Sequence, residues 1–130
     1  MPNEPYLLYS NRTNIGSIDL NNFAKRDVTS GLHSVMVLDV DRVEQKIYYG
    51  EYSLGEIYRM NMDGTNKELL FRNTGNIEGI VVDWVARLVY WTSDSKDVIQ
   101  VASLDGKHRK ILFNTGFQHP RGIALDPKEG

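Results

Sequence analysis

A spacing of 42 residues runs through this 130-residue chain, and a repeat of that length restricts the fold more tightly than any composition does. The stretch LVYWTS at 88–93 has a blurred copy, KIYYGE, at 46–51. Tyr48 stands 42 before Tyr90, and Tyr49 stands 42 before Trp91. The same spacing joins Ile57 to Ile99, Asp63-Gly64 to Asp105-Gly106, and Leu70-Phe71 to Leu112-Phe113. Upstream, VMVLD (35–39), GIVVD (79–83) and GIALD (122–126) correspond, with 44 residues from Asp39 to Asp83 and 43 from Asp83 to Asp126. Small changes in loop length would absorb that drift. Nearer the start, LLYSN (7–11) resembles IYYGE, and IGSIDLNN (15–22) precedes IYRMNMDG (57–64) by 42. The chain divides into the second half of a preceding unit (1–34), two complete units (35–77 and 78–120), and the opening strand of a next one (121–130).

Each unit reads as four short strands. GIVVD is a nearly continuous apolar run of strand length, as a strand buried on both faces requires. LVYWTS is rich in β-branched and aromatic residues. VIQVASL alternates, with Val98, Gln100 and Ala102 on one side and Ile99, Val101 and Ser103 on the other. Asp63-Gly64 and Asp105-Gly106 fall between the last two strands of their units, where a type I′ hairpin turn favours Asp-Gly. No segment carries a helical period capped at both ends. Four short strands in about 42 residues is the signature of a β-propeller blade, a sheet stacked face to face on its neighbours. The aromatic pair fits that geometry. Adjacent strand residues point to opposite faces, so Tyr90 and Trp91 each meet a different neighbouring blade.

Composition removes several function classes. A net charge of −2 gives no electrostatic footprint for nucleic acid or an anionic membrane. No apolar run approaches the ~20 residues of a membrane span, and the opening MPNEPYLLYSNR lacks the pattern of a signal peptide. Cysteine is absent, which excludes disulfides and thiolate metal sites within the chain. There is no Gly-x-Ser-x-Gly elbow, phosphate loop or His-Glu-x-x-His, so no catalytic residue, metal ligand or cofactor is assigned.

The run IEGIVVDWVARLVYWTSDSKDVIQVASLDGKHRKILFNTGFQHPRGIALDP (77–127) resembles the YWTD β-propeller family, also called the low-density lipoprotein receptor class B repeat. It has the family's apolar strand ending in Asp, its Tyr-Trp-Thr-Asp strand, an Asp-Gly turn and a Pro-containing lead into the next blade. PYLLYSNR (5–12) is similar to the segment that opens such a propeller. The resemblance covers essentially the whole chain and implies an all-β, six-bladed ring of which about half is present. It departs at one motif position. The terminal Asp is replaced by Ser93 after Tyr90, Trp91 and Thr92, and by Glu51 after Tyr48, Tyr49 and Gly50, with Asp94 one place late. In the family that position helps hold adjacent blades together, and Glu51 has the reach to meet the same partner.

The resemblance further implies a non-enzymatic, extracellular protein-binding module. It would belong to a receptor-related cell-surface protein, endocytic or of the Wnt co-receptor type, beside EGF-like or acidic modules. SLDGKHRKIL (103–112) and PRGIALDP (120–127) are similar to the co-receptor branch. The alternatives are a nidogen-like matrix propeller and a metal-dependent lactonase propeller. Asp39, Asp83 and Asp126 would form either an acidic ring at the channel mouth or strand-end hydrogen bonds that serve the repeat. His33, His108 and His119 have no metal-ligand spacing; the family's release of ligands in acid gives them an alternative reading as titrating groups. Lys107-His108-Arg109-Lys110 would face an acidic partner or simply solvent. Asn11-Arg12-Thr13 is the only glycosylation sequon, so Asn11 either carries a glycan or serves as a strand-end residue. An incomplete ring exposes blade faces and strand edges, so the isolated chain is expected to be marginally stable or self-associating.

Overall fold

The computed structural model describes residues 6–93 and 98–113, which form eleven strands and, among the described residues, no helix. β1 (Tyr6–Ser10), β2 (Ile15–Asp19) and β3 (Lys25–Thr29) make a three-stranded antiparallel sheet. β4 (Val35–Asp41), β5 (Lys46–Glu51), β6 (Glu56–Asn61) and β7 (Glu68–Phe71) make a four-stranded meander. β8 (Ile77–Asp83), β9 (Leu88–Ser93), β10 (Val98–Ser103) and β11 (Arg109–Phe113) make another. This is part of an all-β propeller. The opening strands β4 and β8 run beside each other as inner strands. The leading segment contributes three strands, one more than half a blade.

The strand pairing corrects the register read from the sequence. Tyr48 lies opposite Asp39, and Tyr90 lies opposite Val81. Asp41 pairs with Lys46 as Asp83 pairs with Leu88. The 42-residue spacing therefore holds throughout the inner strand. Asp41, and not Asp39, is the counterpart of Asp83. The drift read upstream of the aromatic strand is a misalignment caused by a second aspartate two residues earlier. Both inner strands also carry the same irregularity, between Val35 and Val37 and between Ile77 and Gly79.

The Asp-Gly turns are also of another type than expected. Type I′ needs positive φ at both central residues, yet only the glycines, Gly64 (88°) and Gly106 (84°), are left-handed. Gly64 N–H donates to Asn61 O and Gly106 N–H to Ser103 O, closing ordinary turns with Asp63 and Asp105 just before the glycine. The aspartate is useful there for its carboxylate. Asp63 Oδ1 accepts from Thr65 N, and Asp105 Oδ1 accepts from Lys107 N.

Two apolar clusters fill the spaces between sheets. Ile15, Val35, Ile47, Tyr49, Met60 and Met62 lie between the first and second sheets. Tyr48, Ile57, Phe71, Ile80, Trp91 and Leu104 belong to the larger cluster between the second and third. Tyr48 and Tyr49, adjacent in sequence, thus face opposite neighbours, as strand alternation demands. Trp91 looks back and stacks on Phe71 with ring centroids 5.2 Å apart, while Tyr90 on the other face is half-buried. Gly50 stands where the other unit has Thr92. A Cβ there would sit 3.0 Å from the Ile77 side chain, so the smaller residue lets the third sheet's first strand close in.

Candidate functional site

The polar side chains singled out by the sequence converge on the seams between sheets. Glu51, in the motif's acidic position, is buried. Its Oε1 accepts from Ser34 N at 2.6 Å and its Oε2 from His33 N at 3.1 Å. It therefore clamps the segment that links the first sheet to the second. At the matching position Ser93 is buried, and its hydroxyl has no hydrogen-bond partner among the described residues; the same holds for Thr92 Oγ1 and Trp91 Nε1. The two units use this position differently, and only Glu51 forms the clamp.

Asp39 and Asp83, the two described members of the aspartate set, each accept from backbone N–H groups. Asp39 Oδ2 accepts from Val82 N in the next sheet at 2.8 Å, while its Oδ1 accepts from Val40 N. Asp83 accepts from Val85 N and Ala86 N and fixes the β8–β9 turn. Asp126 lies outside the described residues, as do Asp94 and His119. Asp41, which the sequence reading passed over, is buried and meets Arg87 of the third sheet through two bonds, at 2.8 and 2.6 Å. Burial pushes the Asp41 carboxyl up, but Arg87 and the backbone N–H groups of Val43 and Glu44 outweigh it and hold the group below the ordinary carboxylate range. Among the described residues no three His, Asp or Glu side chains gather as a metal would need.

Two more arginines cross the same seam. Arg59 Nη1 donates to Leu104 O at 2.7 Å, beside the Tyr48 hydroxyl, which donates to the same carbonyl at 3.1 Å. Burial raises the Tyr48 phenol above its usual range, so it acts as a neutral donor. Arg109, from the basic cluster, is engaged within the chain. Its Nε donates to Gln100 Oε1, its two terminal nitrogens donate to Arg72 O and Asn73 O, and its guanidinium lies 5.4 Å from the Trp91 ring centre. Lys107, His108 and Lys110 remain exposed. The usable signal for these arginines was non-recurrence: Arg59, Arg87 and Arg109 stand where the other unit has Val101, Gln45 and Lys67.

The remaining candidates lie at the surface and apart from one another. His33 and His108 are exposed. Asn11 is exposed in a turn where its Oδ1 accepts from Asn14 N at 3.2 Å. Large apolar side chains stand out on three loops: Leu20 and Phe23 between β2 and β3, Val43 between β4 and β5, and Val85 between β8 and β9. Alternating strand directions bring these three loops to one rim and the Leu54 loop, between β5 and β6, to the other.

The family model for the low-density lipoprotein receptor repeat class B matches residues 87–127. Low-density lipoprotein receptor-related protein 5 of Mus musculus is 34% identical over 131 residues, covering 97% of this chain and 8% of that protein. A chain of the nidogen/laminin complex superposes with a TM-score of 0.88 at 29% identity, covering 96% of this chain and 50% of that one. Streptogramin B lyase superposes at 0.71 with 19% identity, covering 94% of this chain and 42% of that one, a likeness of fold alone. The chain thus spans a small part of its curated relative and half of its nidogen-complex counterpart.

Proposed function

The chain belongs to the low-density lipoprotein receptor class B repeat family, and from that premise we propose that it is a non-enzymatic protein-binding module in the extracellular part of a receptor-related cell-surface protein. The observation that carries this reading is the 34% identity, which runs through 97% of the chain and so through all three sheets. The chemistry agrees with it. Asp39, Asp41, Glu51, Arg59 and Arg87 are engaged in holding sheets or linkers together. A metal-dependent lactonase would need such carboxylates free to ligate from several blades. What the scaffold offers a partner is its loops, held by a rigid stack of sheets.

The rim carrying Phe23, Val43 and Val85 is the proposed contact surface, because exposed apolar side chains supply the buried centre of a protein interface. A matrix module is the second reading, favoured by the TM-score of 0.88 with a chain of the nidogen/laminin complex. Binding of the secreted chain to EGF-like modules, to calcium-loaded acidic receptor modules and to laminin separates the two. The expected result is binding to a receptor module that is lost in the Val43→Glu, Val85→Glu double variant and kept in Leu54→Glu on the opposite rim. Laminin binding alone would move the assignment to the matrix. Lactone hydrolysis without protein binding would overturn it. In the secreted product a glycan is expected at Asn11, seen as a mass shift that Asn11→Gln removes.

A further inference from the structure

The two seams differ at one matching place. In the second, Leu104 O accepts from the Tyr48 hydroxyl at 3.1 Å and from Arg59 Nη1 at 2.7 Å, and Arg59 Nη2 pairs with Glu68 at 3.3 Å. Strand register gives the counterparts in the first seam. Leu8 lies opposite Ser17 as Tyr48 lies opposite Arg59, and Ser17 lies opposite Arg26 as Arg59 lies opposite Glu68. Met62 and Asp63 stand 42 residues before Leu104 and Asp105. The first seam thus has short side chains, Leu8 and Ser17, where the second has a phenol and a guanidinium.

The difference leaves a cavity of about 60 Å³ beside Leu8, Ser17, Val28 and Met62. One water needs about 10–15 Å³ of such space, so the cavity takes a head group of about four non-hydrogen atoms, the size of a guanidinium. The β6–β7 turn closes tightly on β3 at its side, where a Cβ on Gly64 would strike Val28 O. Two polar groups there are unused. Ser17 is only 3% exposed, and its hydroxyl makes no hydrogen bond among the described residues. Among the described residues no side chain donates to Met62 O, whereas its counterpart Leu104 O accepts from two. Asp27, Asp63 and Arg26 also line the cavity, and two carboxylates against one guanidinium favour a cation. The β6–β7 turn follows the β4–β5 loop by two strands, so it lies on the rim that carries Phe23 and Val43.

We propose that this cavity is a socket for an arginine side chain of a protein partner, whose guanidinium takes the place that Arg59 fills in the second seam. The proposal rests on the protein-binding reading above and deepens it. The incoming head donates to Met62 O and to Ser17 Oγ beside the Asp63 carboxylate, and its stem lies along Leu8 and Val28. Arginine suits the site better than lysine, because a planar and weakly hydrated head with several donors is the more readily buried. A partner seated on the apolar rim reaches the socket with one long side chain.

The test is a titration of the unaltered chain with N-methylguanidinium, followed by amide NMR, with neutral urea at the same concentration as the control. Saturable shifts are expected at the Ser17, Met62 and Asp63 amides, and at least five-fold smaller ones with urea. Two variants copy the second seam. Arg26→Glu, which puts a carboxylate where Glu68 stands, is expected to bind at least five-fold tighter. Ser17→Arg fills the socket from within and is expected to abolish the shifts. Leu8→Tyr, which copies Tyr48, serves the same purpose should Ser17→Arg not fold. Absence of shifts in the unaltered chain, equal shifts with urea, or binding that survives both filling variants would each overturn the socket. The protein-binding reading is tested separately. A partner that binds the Val43 and Val85 rim but is indifferent to Ser17→Arg and Arg26→Glu defeats the socket alone, whereas methylguanidinium binding without any protein partner defeats the binding module.

Discussion

The two seams of this molecule are built on the same plan and fastened differently. Between the first and second sheets the contact is apolar, around Ile15, Val35, Tyr49 and Met60. No side-chain hydrogen bond or ion pair joins β1–β3 to β4–β7 among the described residues; the link is made by backbone, with Val35 N donating to Arg12 O, and by the Glu51 clamp on residues 33 and 34. Between the second and third sheets an aromatic stack is reinforced by Asp39, Arg59 and the Asp41–Arg87 pair. A repeated fold supplies the apolar filling of every seam for free, because equivalent residues recur. Its individual seams are then made specific by polar residues that occur once.

The largest effect should come from Trp91→Ala. The indole is fully buried and stacks across the seam on Phe71, and truncating a buried tryptophan costs about 3–5 kcal/mol. Tyr49 is equally buried but stacks on Tyr58 within its own sheet, at 5.5 Å. Amide exchange therefore separates the seams. Trp91→Ala is expected to speed exchange in β8–β10 first, and Tyr49→Ala in β1 and β2. Equal acceleration everywhere in both variants would show that the three sheets open as one unit.

Next in size is Arg87→Ala, which leaves the buried Asp41 carboxylate with only backbone donors. Breaking a pair from the charged partner's side costs about 3 kcal/mol when the remaining charge is buried. The pair also gives a pH signature. The folded-state pKa of Asp41 is depressed, so its stabilisation is present above the unfolded value of about 3.9 and is lost as pH falls through the lower folded value. Urea midpoints taken downward from pH 6 should show the unaltered chain losing stability below about pH 4. Arg87→Ala should start lower and show a shallower acid loss. An unchanged acid slope would mean that Asp41 is not held ionised by its partner.

Much of the fold was legible because it rests on recurrence. The aromatic pair, the apolar inner strands and the Asp-Gly turns each appear at the repeat spacing, and periodicity needs no tertiary information. What failed to read was whatever the repeat does not contain. VLDVD offers two aspartates where GIVVD offers one, and matching the wrong one displaced the inner-strand register by two residues. Two residues preserves the face in a strand, so alternation raised no alarm. The basic cluster read as facing an acidic partner or solvent, because nothing in its composition shows that Arg109 folds back over Trp91. Arg59 and Arg87 were invisible for the same reason, each being a lone departure from its counterpart.

Asp39 provides the smallest of these effects and the cleanest test of the idea that singular residues set the seam. Its counterpart Val81 has no polar group, so Asp39 is the version of this position that reaches the neighbouring sheet. Asp39→Asn keeps size and shape but removes the charge, and the amide offers one oxygen where the carboxylate offered two to Val40 N and Val82 N. Loss of one charge-assisted bond to a backbone donor is worth about 1–2 kcal/mol. Asp39→Val, which copies the third sheet's own solution, takes this acceptor from both Val40 N and Val82 N, yet is expected to cost no more than Asn, because it replaces polar surface with apolar surface facing Val82. A urea series with the two variants decides between them. If valine proves markedly worse than asparagine, the unpaired N–H groups are the dominant penalty, and the second seam depends on those hydrogen bonds more than on its apolar filling.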